Sequence, residues 1–148
     1  MIAIGNDHAA VNLKKAVIEH LKEIGVEYKD FGCEEGEKCD YPDKADEVCK
    51  AVISGEAEKA ILICGTGVGM AMSANKVKGI RAACCSDCFS AKYTRLHNDA
   101  NVLCFGERVV GAGLANELVE VFLTTEFEGG RHAARVDKIM KIESSQDR

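Results

Sequence analysis

The sequence predicts an α/β protein, a doubly wound three-layer α/β/α sandwich whose five-stranded parallel sheet carries helices on both faces and an extra C-terminal helix. Three observations predict it. Short apolar runs of strand length alternate with helical patterns, as βαβ units require. The runs are of the kind found in strands covered on both faces. With 148 residues, 47% of them apolar, the chain suits one domain over residues 1–148 that needs neither disulfides nor a structural metal.

The first strand candidate is Met1 to Gly5. Ala10, Leu13, Val17, Leu21 and Ile24 then recur at helical spacing, a single stripe ending at Gly25. Val26 to Phe31 reads as the second strand. Pro42, the only proline, marks the start of a second helix, whose first turn tolerates it. Ala60 to Cys64 is the third strand, and a helix is expected over 69–77. Ile80 to Cys85, a helix over 87–97 and Val102 to Phe105 complete the sheet. A helix over 111–125 is separated by Gly129-Gly130 from another over 132–143, and Glu143 to Arg148 reads as a frayed polar tail. In such Rossmann-like layering, ligands sit beyond the carboxyl ends of strands near the topological switch point. Attention falls on Asn6-Asp7-His8, Gly65 to Gly69 and Gly106-Glu107-Arg108.

Nineteen basic against 24 acidic residues give a net charge of −5, which argues against nucleic acid or anionic membranes as the main partner. No apolar run approaches the ~20 residues of a membrane span, and the first residues lack a signal peptide's basic flank. A soluble cytoplasmic protein is expected. All six arginines fall after residue 80. They could build an anion site, for which the guanidinium fork is suited, or simply lie on solvated faces. The eight cysteines are expected to be reduced thiols. Cys85-Ser86-Asp87-Cys88 is a C-x-x-C, but no second pair with zinc spacing accompanies it.

The strongest local signal is Ile61-Leu62-Ile63-Cys64-Gly65-Thr66-Gly67-Val68-Gly69, a buried strand opening through three glycines into a helix. Glycines let a backbone approach a ligand closely, and a helix N-terminus offers N–H groups to an oxyanion. The spacing is not that of a Walker loop, and Met70 breaks both G-x-G-x-x-G and the phosphatase loop's arginine position. Cys64 is then either a thiol poised as base or nucleophile, or a small buried core residue. Asp7-His8 could orient hydroxyls and meet an anion, or cap a helix. His97-Asn98-Asp99 is a polar cluster or a plain turn. Arg131 and Arg135, at i and i+4, could clamp one phosphate or face solvent.

Several ordered blocks decide between these alternatives. Asp7-His8, Asp40-Tyr41-Pro42, Cys64 to Gly69, Ala74-Asn75-Lys76, Gly79 to Ala82, His97-Asn98-Asp99, Asn101-Val102-Leu103, Phe105-Gly106 with Arg108 to Gly111, and Glu128 to His132 with Arg135-Val136 together resemble ribose-5-phosphate isomerase type B. That family lies within a wider group that includes galactose-6-phosphate isomerase. The resemblance spans essentially the whole chain. It implies that Cys64 moves a proton between C1 and C2 of the open-chain sugar, with Thr66 assisting at the adjacent oxygens. It implies that His97 opens the furanose ring, that Asp7, Tyr41 and Asn98 hold hydroxyls, and that His8, Arg108, Arg131 and Arg135 hold the phosphate. The backbone of Gly65, Gly67, Val68 and Gly69 would stabilise the enediolate. No metal or organic cofactor is implied.

Departures are few. Ala10 replaces a glycine frequent in relatives, and Asp87-Cys88-Phe89 replaces a Glu-Pro-Tyr type segment. Members with serine at the position of Cys64 use a glutamate on the next helix, but here no acid lies between Gly65 and Gly79.

Cys64 follows its strand, whereas His97 precedes the fifth. A five-residue strand separates the two rims by roughly 16 Å, too far for both to touch one sugar within a subunit. The expectation is a homodimer whose subunits share each site, an arrangement that also allows a tetramer. Ribose 5-phosphate is the leading substrate, with allose 6-phosphate or galactose 6-phosphate as the six-carbon alternative. From other classes come a non-catalytic phosphosugar-binding module, which would not need Cys64, Thr66 and His97 together, and a thiol redox sensor based on Cys85 and Cys88.

Overall fold

The computed structural model describes residues 1–146, so Asp147 and Arg148 lie outside the described residues. Strands β1 (Ile2–Asn6), β2 (Tyr28–Asp30), β3 (Lys59–Cys64), β4 (Ala82–Cys84) and β5 (Val102–Gly106) form one parallel sheet in the order β2-β1-β3-β5-β4. The helices are α1 (Val11–Glu23), α2 (Tyr41–Ile53), α3 (Val68–Ala74), α4 (Cys88–Asn98), α5 (Ala112–Thr124) and α6 (Arg131–Ser144). Every expected element is present, in the expected order.

Alternation along the central strands divides the core into two layers. Ile2, Ile4, Ile61, Ile63, Leu103 and Phe105 point to one face, where Leu13, Val17 and Leu21 of α1 and Leu118, Val119 and Phe122 of α5 cover them. Ala3, Leu62, Cys64, Val102 and Cys104 point to the other, against Val48 and Cys49 of α2 and Met70 and Ala74 of α3. Connections running one way along the sheet use α1 and α4, and those running the other way use α2 and α3. Right-handed crossovers require that segregation.

The edge strands are shorter than expected. The Val26 and Ile80 N–H groups close turns instead, donating to the Leu21 and Val77 carbonyls. The tail is corrected too: α6 continues to Ser144, and both Glu143 carboxylate oxygens accept the Gly79 N–H at 3.1 Å. The remainder of that tail includes the two residues outside the described range.

One cysteine expectation fails. Cys33 and Cys39 are joined as a disulfide that closes the loop between β2 and α2, with Cα atoms 6.3 Å apart. The loop brings the pair together because Asn6 grips Cys33, whose N–H donates to the Asn6 side-chain oxygen at 3.1 Å. Cys49, Cys64, Cys84, Cys85, Cys88 and Cys104 are free thiols. Among the described residues, no helix is long and apolar enough to cross a membrane.

Candidate active site

Ladder register brings the ends of β1, β3 and β5 to one rim. Cys64 lies opposite Gly106, and Asn6 opposite Ile63. Three backbone bonds extend the alignment into the loops: Asp7 N–H to Ile63 at 3.2 Å, Glu107 N–H to Cys64 at 2.9 Å, and Arg108 N–H to Gly65 at 3.1 Å. Above them opens a cleft of about 550 Å³ lined by Asp7, His8, Tyr41, Cys64, Gly65, Thr66, Val68, Gly69 and Arg108. A larger groove, about 780 Å³, runs beside α6 and β4 with Ile80, Ile139 and Ile142 in its wall. Of the expected site residues it contains only Asn98. The smaller cleft is the candidate site because a thiol, an imidazole, a carboxylate and a guanidinium converge there.

Cys64 is 4% exposed and belongs to the core layer and the cleft wall at once. Its Sγ accepts the Gly67 N–H at 3.1 Å. The neighbouring Thr66 hydroxyl accepts the Val68 N–H at 3.3 Å. Glycine is needed at position 67, because φ is +84° and a Cβ would stand 2.6 Å from Phe105 Cα. At Gly69 a Cβ would come within 2.7 Å of the Tyr41 ring, so the bare backbone is what lets Tyr41 close over the start of α3.

Asp7 does not cap α1. Its carboxylate accepts the Ala9 N–H at 2.9 Å, a local turn that fixes the carboxylate at the cleft. The α1 N-terminus is held instead by Glu107, which accepts the Leu13 N–H at 2.5 Å. His8 donates its Nδ1–H to the Cys39 carbonyl at 2.9 Å, which ties it to the disulfide-closed loop.

That loop is anchored by groups whose role sequence reasoning missed. Lys14, 1% exposed, donates to the Cys33 carbonyl at 2.8 Å and pairs with Asp30 at 2.9 Å. Asn6, fully buried, also bridges to Cys33. Asp40 and Met72 line the cleft as well. Asn6, Asp40 and Glu107 sit inside segments already singled out by their place at strand or helix ends, which is a signal. Lys14 has none, since a lysine on a helix normally reads as solvated.

The remaining expected residues gather elsewhere. His97 and Asn98 end α4, at the rim where β5 begins, and His97 stacks on His132 of α6 with ring centroids 4.0 Å apart. Burial, then the neighbouring His97 and Arg131, hold the His132 imidazole below its ordinary pKa of 6.5, with Arg135 acting in the same direction. None of His97, Asn98, Arg131 and Arg135 lines the cleft that holds Cys64. Two other arginines have structural roles. Arg95 is buried, with a bond to the Asp99 carboxylate at 2.8 Å, and Arg81 donates to the Asp99 carbonyl at 2.9 Å.

Known proteins resemble this chain in sequence and fold. The chain is 49% identical over 146 residues to ribose-5-phosphate isomerase B of Escherichia coli, covering 99% of this chain and 98% of that protein. It is 45% identical over 139 residues to the D-erythrulose-4-phosphate isomerase of Pectobacterium atrosepticum, covering 93% and 91%. The solved structure of Clostridium thermocellum ribose-5-phosphate isomerase B superposes with a TM-score of 0.96 at 51% identity, covering 99% of both chains. The model of the family described as ribose/galactose isomerase matches residues 2–139. From Ile2 to near the end of α6, the chain belongs to the ribose/galactose isomerase family.

Proposed function

We propose that the chain is an aldose–ketose isomerase that interconverts D-ribose 5-phosphate and D-ribulose 5-phosphate, a step of the non-oxidative branch of the pentose phosphate pathway, in the cytoplasm. The observation that carries the proposal is the Cys64 thiol at the wall of a cleft that also presents Asp7, His8, Tyr41, Thr66 and Arg108. His97 opens the ring by moving a proton between the anomeric hydroxyl and the ring oxygen. The Cys64 thiolate then takes the proton from C2 of the aldose and returns it to C1, while a proton shifts between the two oxygens of the enediolate with the help of Thr66. Donors at Gly65 to Gly69 stabilise the charge that develops on those oxygens. Asp7, Tyr41 and Asn98 orient the hydroxyls. His8, Arg108, Arg131 and Arg135 hold the phosphate dianion.

The two groups of residues stand at opposite rims, separated by a β5 of five residues, roughly 16 Å of strand. We infer a homodimer in which His97 and Asn98 of the partner subunit complete the cleft that holds Cys64. The Pectobacterium relative supports a second reading, a four-carbon sugar phosphate. One CHOH unit more or less is a modest difference for a pocket to reject, so comparing kcat/KM on four-, five- and six-carbon phosphosugars ranks the substrates.

Solvent deuterium incorporation at C2 of ribose 5-phosphate tests the proton-transfer step. The native chain should exchange, and Cys64→Ala should lose exchange by at least about a hundredfold, the usual worth of a positioned general base. Equal exchange by both would remove Cys64 as the base. No exchange by either would remove the isomerase reading.

A further inference from the structure

At the far rim three metal-type side chains converge. His97 ends α4, Glu128 lies in the segment between α5 and α6, and His132 occupies the first turn of α6. One donor atom from each lies within 4.8 Å of the others. His97 Nε2 is 4.0 Å from a Glu128 carboxylate oxygen, and the two imidazoles stack at an interplanar angle of 13°.

A second observation is independent of that proximity. His132 is 3% exposed, and its Nε2 is buried without a hydrogen-bond partner among the described residues. A buried donor or acceptor left without a partner is costly, and its retention calls for an explanation.

Two imidazoles and one carboxylate are a donor set found in zinc centres with three protein ligands and an open fourth position. Tetrahedral ligands at roughly 2.1 Å from zinc stand roughly 3.4 Å apart, so the cluster must contract by about an ångström. Glu128, whose side chain is 52% exposed and whose segment is neither helix nor strand, and His97, 36% exposed, must supply that movement, His97 turning out of its stack on His132 so that the two lone pairs converge. Arg131 and Arg135, whose charges reach His132, oppose a dication and weaken its binding.

We propose that His97, Glu128 and His132 form a binding site for a zinc-type divalent cation, and that its occupation inhibits isomerisation by taking the lone pair that His97 uses in ring opening. The first half stands on geometry alone, and the second rests on the isomerase reading above. The cation is an inhibitor here, not a cofactor.

Cobalt(II) titration of the full chain, followed by visible absorption, tests the site. One Co²⁺ per chain is expected, with tetrahedral intensity, no thiolate charge-transfer band, and displacement by Zn²⁺. Glu128→Gln and His132→Gln should each weaken Co²⁺ binding by at least about tenfold. Cys64→Ser should bind as the native chain does. Glu128 is exposed, so Glu128→Gln remains decisive if the buried His132 variant fails to fold. In the activity assay, Zn²⁺ should inhibit the native chain, EDTA should restore it, and Glu128→Gln should need about tenfold more Zn²⁺ for the same inhibition. No Co²⁺ binding, a thiolate band lost in Cys64→Ser, or unchanged affinity in Glu128→Gln would each overturn the site. Zn²⁺ bound there without inhibiting an active enzyme would overturn the inhibitory half. A chain that turns over no ribose 5-phosphate would sink the isomerase reading and leave the Co²⁺ titration to decide the site.

Discussion

Gly67 carries two constraints at once, a left-handed backbone and contact with the backbone of β5. Its N–H also reaches the Cys64 sulfur. Gly67→Ala should therefore destabilise the fold by about 1–3 kcal/mol, the cost of a strained backbone, and lower kcat in the same variant by moving that donor. Urea unfolding and steady-state kinetics read the two effects separately, and a variant with native stability would contradict the packing described. Sequence alone pointed to Cys64, Thr66, Asp7 and His8 because they sit at strand ends, where the fold class places ligands. Block resemblance, not local pattern, singled out Cys64 as a base. The Lys14–Asp30 pair and the Glu107 contact to α1 join residues far apart in the chain, and no local spacing announces such partners.

Among the elements, the central strands were legible and the edges were not. β1, β3 and β5 are covered on both faces, so their apolar runs coincide with their ladders. β2 and β4 each pair with one neighbour only, and their flanking apolar residues close turns or pack without pairing. The layer between α2 and the sheet has a measurable pH signature. Burial, with a smaller contribution from Asp46, pushes the Cys49 thiol from 9.0 up to about 12. A thiol with a raised folded pKa lends stability that is complete below 9.0 and is lost as pH rises toward about 12. The native chain should lose urea resistance between pH 8 and pH 11, and Cys49→Ala should lose less over the same interval. Equal slopes for the two chains would contradict this assignment.

At the scale of the whole molecule, strand order decides which of the candidate site residues share a rim. The arrangement β2-β1-β3-β5-β4 puts Cys64 and Arg108 on one rim while His97 sits where β5 starts, so neither rim alone contains both of the groups proposed to transfer protons. That separation was readable from the sequence once the fold class was assigned, since it needs only the length of a strand and the side from which each residue leaves it. The stacking of His97 on His132 was not, because it depends on how α6 returns across α4. A shared site follows if both groups act on one sugar, and it makes the dimer the catalytic unit.

Hybrid complementation tests that unit most directly. Cys64→Ala and His97→Asn, each inactive alone, are mixed in equal amounts and allowed to exchange subunits. Half of the dimers are then mixed, and each mixed dimer carries one intact site, so recovery of about a quarter of the native activity is expected. No recovery despite demonstrated subunit exchange, or full activity from a chain that stays monomeric, would contradict the shared site.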